Sequence, residues 1–275
     1  MTLIFFMTLL DSQQTIEQLI SFLKQSFQQA GFFKAVIALS GGVDSATSCA
    51  LAVRALGREN VYPVLLPYGQ LNHQGVVDAR LVIEALQIPQ GNVTEIDIQP
   101  LIDPMLALIR QLADEGLALD SSMDNVRKGN SMARMRMIVV FDQAKKRNAL
   151  VVGTENKSEH LLGYFTRFGD EASDIEPLRN LYKTQVYALA KELKIPEPIL
   201  IKKPTAGLWE GQTDEEEFGF MYKEADEILS LLYDEKKSVD EVVNQGFNRE
   251  TVEKVCSRVD QNAFKHELPI LPPSS

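Results

Sequence analysis

The stretch Phe33-Lys34-Ala35-Val36-Ile37-Ala38-Leu39-Ser40-Gly41-Gly42-Val43-Asp44-Ser45 decides the fold. Its near-continuous apolar opening is the pattern of a strand covered on both faces of a parallel sheet. A tight turn over 40–45 follows and feeds a helix over 46–56. Upstream, Ile16, Leu19, Ile20, Leu23 and Phe27 recur on one stripe of a helix over 12–30, which Gly31 stops. Downstream, strands are expected at 61–66, 93–98 and 149–153, alternating with helices near 76–86, 101–112 and 132–146. Pro63 argues mildly against a central place for the second of these strands. The remainder reads as helices at 184–193, 222–232, 239–244 and 249–264. The acidic run Asp214-Glu215-Glu216-Glu217 suits a solvated first helical turn. Alternation of the two periods predicts an α/β fold, a doubly wound parallel sheet flanked by helices, with a helical C-terminal part. No repeat or linker divides the chain, so residues 12–275 read as one domain and residues 1–11 as an N-terminal extension.

Composition narrows the classes. With 275 residues, 45% hydrophobic and 24% charged, the chain matches ordinary globular proteins rather than disordered or fibrous ones. Its 28 Lys and Arg against 38 Asp and Glu leave a net charge of −10, which opposes binding to nucleic acid. Cys49 and Cys256 have no metal or redox spacing, as expected of a reducing compartment. The apolar start at 3–10 lacks a basic leader and a cleavage site, and no run is long enough to span a membrane. A cytoplasmic protein is expected.

Between a buried strand and a helix start, Ser40-Gly41-Gly42-Val43-Asp44-Ser45 forms a natural anion site. Backbone N–H groups and the positive end of the helix dipole face outward there. Glycines let the backbone approach a ligand closely, and the serines add hydroxyl donors. Neither a Walker A Gly-Lys-Ser/Thr nor a Gly-x-Gly-x-x-Gly occurs. Asp44 would repel phosphates unless a divalent cation bridged them, and Mg²⁺ prefers one or two carboxylates plus phosphate oxygens. A second strand-to-turn segment, Gly153-Thr154-Glu155-Asn156-Lys157-Ser158-Glu159, brings Glu159 to the same sheet edge, where open α/β sheets bind ligands. Two carboxylates from different loops would then hold metal against a triphosphate, although Glu159 also reads as a simple helix-start carboxylate. His160 has no second histidine at ligand spacing and reads as a packing or surface residue.

Ser-Gly-Gly-x-Asp-Ser between strand and helix resembles the pyrophosphate loop of the ATP pyrophosphatase superfamily. The motif over 153–159, Gly163-Tyr164-Phe165-Thr166-Arg167-Phe168-Gly169-Asp170, Lys183 and Lys203-Pro204-Thr205-Ala206-Gly207-Leu208-Trp209 follow the order and spacing of ammonia-dependent NAD⁺ synthetases. Lys128-Gly129-Asn130-Ser131-Met132-Ala133-Arg134-Met135-Arg136-Met137 resembles that family's Asn-x-x-Ala-Arg-x-Arg-Met helix, and Phe264-Lys265-His266-Glu267-Leu268-Pro269 its closing segment. The resemblance covers nearly the whole chain.

The resemblance implies an ATP pyrophosphatase fold and a ligase that converts deamido-NAD⁺, ATP and ammonia into NAD⁺, AMP and pyrophosphate through an acyl-adenylate. It implies that Ser40, Gly41, Gly42, Asp44, Ser45, Thr154, Lys183 and Thr205 bind ATP, and that Asp44 and Glu159 bind Mg²⁺. By the same resemblance Asn130, Arg134, Arg167, Asp174 and Lys265 contact the dinucleotide, Asp170 and Lys183 are catalytic, and the protein is a homodimer. Leu65, Arg167 and Phe264 depart from the family pattern, standing where other members carry arginine, lysine and histidine. With no glutaminase motif, free ammonia or another protein must supply nitrogen. Sulfur-transfer or tRNA-modifying pyrophosphatases are the alternative, opposed by the charge of −10 and the lack of a cysteine pair. A nucleotide sensor with an inactive loop is a further one, opposed by the intact Asp44, Glu159 and Lys183.

Overall fold

A computed structural model describes residues 10–71, 73–113, 121–209, 211–267, 269 and 272. Residues 1–9 of the expected extension lie outside the described residues, whereas Asp11 accepts a hydrogen bond from the Gln14 amide (3.0 Å) and caps the first helix. Helix α1 (Ser12–Ala30) ends at Gly31 in the left-handed conformation, as its sequence predicts. Strand β1 (Ala35–Ala38), α2 (Val43–Leu56), β2 (Val61–Leu65), α3 (His73–Ala85), β3 (Thr94–Glu95), α4 (Gln99–Ala113), α5 (Ser121–Arg147) and β4 (Leu150–Val151) follow. The rest is helical: α6 (Lys157–Leu162), α7 (Lys183–Glu192), α8 (Glu197–Leu200), α9 (Asp214–Phe218), α10 (Tyr222–Leu229), α11 (Val239–Asn244) and α12 (Arg249–Asn262). A π-helical turn, Ser230–Asp234, extends α10.

The four strands are parallel in the order β3-β2-β1-β4. Helices α1, α2 and α7 bury one face of the sheet around Leu23, Phe27, Leu51 and Leu189. Helices α4 and α5 cover the other through Ile102, Met132 and Val140. A third cluster built from Ile228, Leu229, Val252 and Val255 holds the C-terminal helices together. This is the expected doubly wound arrangement with a helical C-terminal part.

Pro63 does lie inside the sheet, paired in register with Ile37. Leu39 N–H donates to Val64 O, and Ile96 N–H donates to Leu65 O, so alternate β2 residues face opposite neighbours. Pro63 shares the parity of Leu65 and turns its missing donor toward β3, which is only two residues long. The short β3 replaces the six-residue strand expected there. Helix α2 begins at Val43, not at 46, so Asp44 and Ser45 sit in its first turn. Edge strand β4 is finished by Asp174, whose Oδ2 accepts from the Val151 amide (2.7 Å), and by a parallel bridge from Val152 to Ile175.

Gly41 is where the phosphate loop meets α3. Its φ is +80°, and a Cβ there would lie 2.3 Å from Gly75 O and 2.9 Å from the Asp78 Cβ. Gly41→Ala should therefore cost ~2 kcal/mol or more in the urea midpoint, from left-handed strain plus backbone displacement. A midpoint equal to wild type would show that the loop can relax.

Candidate active site

The chain leaves β1 toward β2 on one side and toward β4 on the other, so the sheet reverses order between β1 and β4. Ligands of open α/β sheets bind at such a point, beyond the carboxyl ends of the strands. A cleft of about 690 Å³ lies there, lined by Ser40 and Asp44 after β1, Leu65 and Leu66 at the end of β2, and Thr154 and Glu159 after β4. Another depression, of about 710 Å³, opens beyond the β4 edge and holds Phe22, Asp174 and Arg179, away from the phosphate loop.

The loop is internally braced. Ser45 Oγ donates to Gly42 O (3.0 Å), Ser40 N–H donates to Ser45 Oγ (3.2 Å), and Gly42 N–H donates to Ser40 Oγ (3.3 Å). Gly42 is the N-cap of α2 and offers no side-chain cap, which leaves the first-turn amides to an anion in the cleft.

At the centre, Lys183 Nζ lies 2.5 Å from Asp44 Oδ2 and 2.9 Å from Glu159 Oε1. Lys183 is only 3% exposed. Burial disfavours its ammonium, but Asp44 and Glu159 outweigh this and hold its pKa well above the ordinary lysine value. Asn156 ties the pair together from the other side. Its Nδ2 donates to Asp44 Oδ1 (2.9 Å), its Oδ1 caps α6 through the Glu159 amide (3.0 Å), and its N–H donates to Glu159 Oε2 (3.4 Å). Glu159 is thus a capping-box residue, as its helix-start reading expects, and it also pairs with Lys183 beside Asp44.

The residue that sets Lys183 beside Glu159 is Asp226, which is fully buried. It accepts from Ser158 Oγ, from the Thr184 amide (2.8 Å) and from Thr184 Oγ1 (2.7 Å). Ser158 Oγ in turn accepts from the Lys183 amide (2.8 Å). One carboxylate on α10 therefore clips the starts of α6 and α7 together. Nothing in its local sequence marks it, because it is an ordinary-looking acid in a helix.

Asp170 lines the cleft and is exposed to solvent. The protein packed around it raises its carboxyl pKa, although the Thr166 amide donates to its Oδ1 (3.0 Å). Thr166 Oγ1 donates to Asn130 Oδ1 (2.9 Å), linking this loop to α5. Lys265 Nζ donates to Gly163 O (2.6 Å) and Phe165 O (3.0 Å), and burial lowers its pKa. Thr205 lines the cleft and its Oγ1 accepts from the Gly207 amide (3.0 Å).

Of the residues named from sequence, Ser40, Gly42, Asp44, Ser45, Asn130, Thr154, Glu159, Asp170, Lys183, Thr205 and Lys265 line this one cleft. Gly41, Arg134, Arg167 and Asp174 do not. Arg134 donates from Nε to Arg167 O (3.2 Å), and the Arg167 guanidinium sits 5.5 Å from both the Phe168 and Phe264 rings. Arg136 enters the cleft instead of its neighbour, donating to Leu66 O (3.1 Å), and burial lowers its pKa to about 10. The acidic run is not all solvated: Asp214 is buried, accepting from Tyr164 and Tyr222 hydroxyls (3.0 and 3.2 Å), while Glu215 to Glu217 remain at or near the surface. His160 packs against His266 (ring centroids 4.2 Å apart), and burial depresses its pKa to about 4, in line with a packing role. The sequence reading missed Asn156, Asp214 and Asp226, and also Lys202, Lys203 and Arg258, which add positive charge to the cleft walls. With Arg136, Lys183 and Lys265 these stand against Asp44, Glu159, Asp170, Asp214 and Glu217, so the cleft lacks the acidic excess of the whole chain.

Comparison with known proteins agrees with this geometry. The NAD synthase family model matches residues 15–269. The NH(3)-dependent NAD(+) synthetase of Fusobacterium nucleatum subsp. nucleatum is 42% identical over 95% of this chain and 96% of its own. Among solved structures, the NMN synthetase of Francisella tularensis has a TM-score of 0.81 at 35% identity, covering 96% of this chain and 99% of that one. The NH3-dependent NAD synthetase of Campylobacter jejuni has a TM-score of 0.76 at 32% identity, covering 96% and 100%.

The clip is testable apart from any ligand. Asp226→Asn sets an amide NH₂ against the Thr184 and Ser158 donors. It should cost ~1–3 kcal/mol in chemical denaturation while keeping the far-UV spectrum, and turnover should fall with it. Wild-type stability and turnover together would mean that α6 and α7 are held in place without Asp226.

Proposed function

The chain belongs to the NAD synthase family, and from that premise we infer that it makes NAD⁺ from deamido-NAD⁺, ATP and ammonia, releasing AMP and pyrophosphate. It is a carbon–nitrogen ligase. The observation that carries this reading is the meeting of the phosphate loop, Asp44, Glu159 and Lys183 in one cleft at the switch point of the sheet.

The α2 first-turn amides, Ser40 and Ser45 receive the ATP phosphates, with Thr154 and Thr205 contacting the nucleotide from facing loops. Asp44 and Glu159 fit a divalent cation, because an oxygen of each already converges on one positive charge. These two residues would hold Mg²⁺, which supplies neutralisation of the charge on the departing pyrophosphate. Lys183 adds its own charge to the phosphates. Asn130 and Lys265 orient the dinucleotide inside the cleft, Arg134, Arg167 and Asp174 contact the part of it that extends beyond the cleft, and the nicotinate carboxylate attacks the α-phosphate in line. Asp170 then takes a proton from ammonium, so that ammonia displaces AMP from the acyl-adenylate. The segment around Thr205 and Leu208 covers the cleft against α5, where Leu208 packs on Gly129, and keeps water from the mixed anhydride.

The protein acts as a homodimer in the cytoplasm. Support comes from exposed apolar residues on α4 and α5, among them Leu108, Leu112, Val126 and Ile138, and from the two free cysteines. No helix among the described residues is long and apolar enough to cross a membrane. The likeness to an NMN synthetase structure favours a second reading of the same chemistry, with nicotinic acid mononucleotide as the acceptor of the amide.

Purified protein with Mg-ATP, ammonium chloride and deamido-NAD⁺ should form NAD⁺, AMP and pyrophosphate in equal amounts. ADP as the product would overturn the assignment, and a higher kcat/KM for nicotinic acid mononucleotide would establish the second reading. Asp170→Asn should slow amidation more than adenylation. Its first turnover should give a pyrophosphate burst with adenylated dinucleotide accumulating, and higher pH should partly restore the rate by supplying free ammonia. Equal loss in both steps, with no burst and no restoration, would make Asp170 a binding residue.

A further inference from the structure

All four oxygens of the central carboxylate pair have protein partners. Asp44 Oδ2 and Glu159 Oε1 face the Lys183 ammonium, at 2.5 and 2.9 Å. Asp44 Oδ1 accepts from Asn156 Nδ2 (2.9 Å), and Glu159 Oε2 accepts from the Asn156 amide (3.4 Å). A divalent ion between these carboxylates would need the oxygens that Lys183 holds, and would stand against an ammonium in the same place. Ligand number points the same way. Mg²⁺ seeks six oxygens in near-octahedral geometry, and no group of three or more His, Cys, Asp or Glu side chains among the described residues is placed to hold a metal. Asp214, the next acid nearby, is occupied by the Tyr164 and Tyr222 hydroxyls.

We propose that Lys183 is an exchangeable cation: its ammonium closes the Asp44–Glu159 pair to divalent metal until a triphosphate enters the cleft and draws the ammonium onto its own oxygens. The nucleotide does two things at once. It gives the ammonium another anion, and it supplies the phosphate oxygens that two carboxylates lack as a metal shell. Removing the ammonium without replacement would leave two half-buried carboxylates uncompensated, which is why the exchange must be concerted with arrival of a new cation. The consequence is an order of binding. Metal enters with ATP and not before it, so free Mg²⁺ does not load the protein. The inference rests on the reading of this cleft as an ATP site.

Equilibrium dialysis with Mn²⁺, followed by electron paramagnetic resonance of the retained ion, tests it without catalysis. Wild-type protein should retain at least ~100-fold less Mn²⁺ alone than with α,β-methylene-ATP, as expected if the ion must break a buried, paired charge. Lys183→Met should retain Mn²⁺ without nucleotide, at least ~100-fold more tightly than wild type, and Asp44→Asn added to it should abolish that gain. The wild-type arm stands even if the variant folds poorly. Strong retention of Mn²⁺ alone by wild type overturns the exchange while leaving the ATP site intact. A folded Lys183→Met that gains no Mn²⁺ overturns it as well. Failure of the wild-type protein to bind the nucleotide analogue overturns both the exchange and the ATP reading beneath it.

Discussion

One buried ammonium held by two carboxylates fixes where everything else must go. Asp44, Glu159 and Lys183 come from three segments, with Lys183 139 residues from one partner and 24 from the other. Bringing them within 3 Å demands that α2, α6 and α7 all start at one point on the sheet edge. The hydrophobic clusters place those helices approximately, but packing between apolar faces does not set the azimuth of a first turn. Directional bonds do. Asn156 joins Asp44 to α6, and Asp226 joins α6 to α7. A buried ion pair is weak support for stability, because desolvation costs about as much as the attraction returns. A core designed for stability alone would fill this position with leucine. Its charged content makes physical sense as a place where charges are later exchanged with a ligand.

The same logic explains how an acidic protein accommodates a triphosphate. The net charge of −10 would repel ATP at long range, but salt screens that field beyond about 10 Å. Within the cleft the charges are nearly even, since Lys183, Lys202, Lys203, Arg136, Arg258 and Lys265 line it beside Asp44, Glu159, Asp170, Asp214 and Glu217. Several are already matched by the protein: Lys202 with Asp78 (2.7 Å), Lys265 with two backbone carbonyls, Arg136 with Leu66 O. Local partners keep these cations in position without neutralising the whole cleft, so less rotamer freedom is lost when a phosphate arrives.

How far the sequence could be read follows from how local each signal is. Helix α1 was legible to the residue because its stripe, its stop at Gly31 and its run of nineteen residues lie in one stretch. The phosphate loop and the segment after β4 were legible for the same reason. The length of β3 was not, because the alternating 93–98 segment forms only two ladder residues and then turns into α4. Arg134 and Arg136 look alike in sequence, but two residues on a helix amount to about 200° of rotation. One therefore faces outward to Arg167 O while the other enters the cleft. Asp214 was misread as solvated because its partners, Tyr164 and Tyr222, belong to other elements. Asp226 was invisible for a stronger reason: its function is wholly tertiary.

Two departures from the family pattern that the sequence resembles turn out to be neighbours. Arg167 stands where lysine is common and Phe264 where histidine is common, and the Arg167 guanidinium lies 5.5 Å from the Phe264 ring. Its Nη1 also donates to Phe264 O (3.4 Å), and Phe168 provides a second ring at 5.5 Å. A planar guanidinium can lie between two aromatic faces, whereas an ammonium is a compact, strongly hydrated point charge. Replacing lysine by arginine therefore gains most where a ring is present to receive it, and replacing histidine by phenylalanine supplies that ring without a titratable nitrogen. The stack joins the 163–170 loop to the segment that carries Lys265, which itself donates to two carbonyls of that loop. Phe168 holds a left-handed φ of +61° at this junction, a conformation that costs a non-glycine residue energy and persists only where its surroundings fix it. The coupled pair Arg167 and Phe264 helps provide that fixation, so the departures read as one exchange of contacts on the rim of the cleft, with the residues at its centre unchanged.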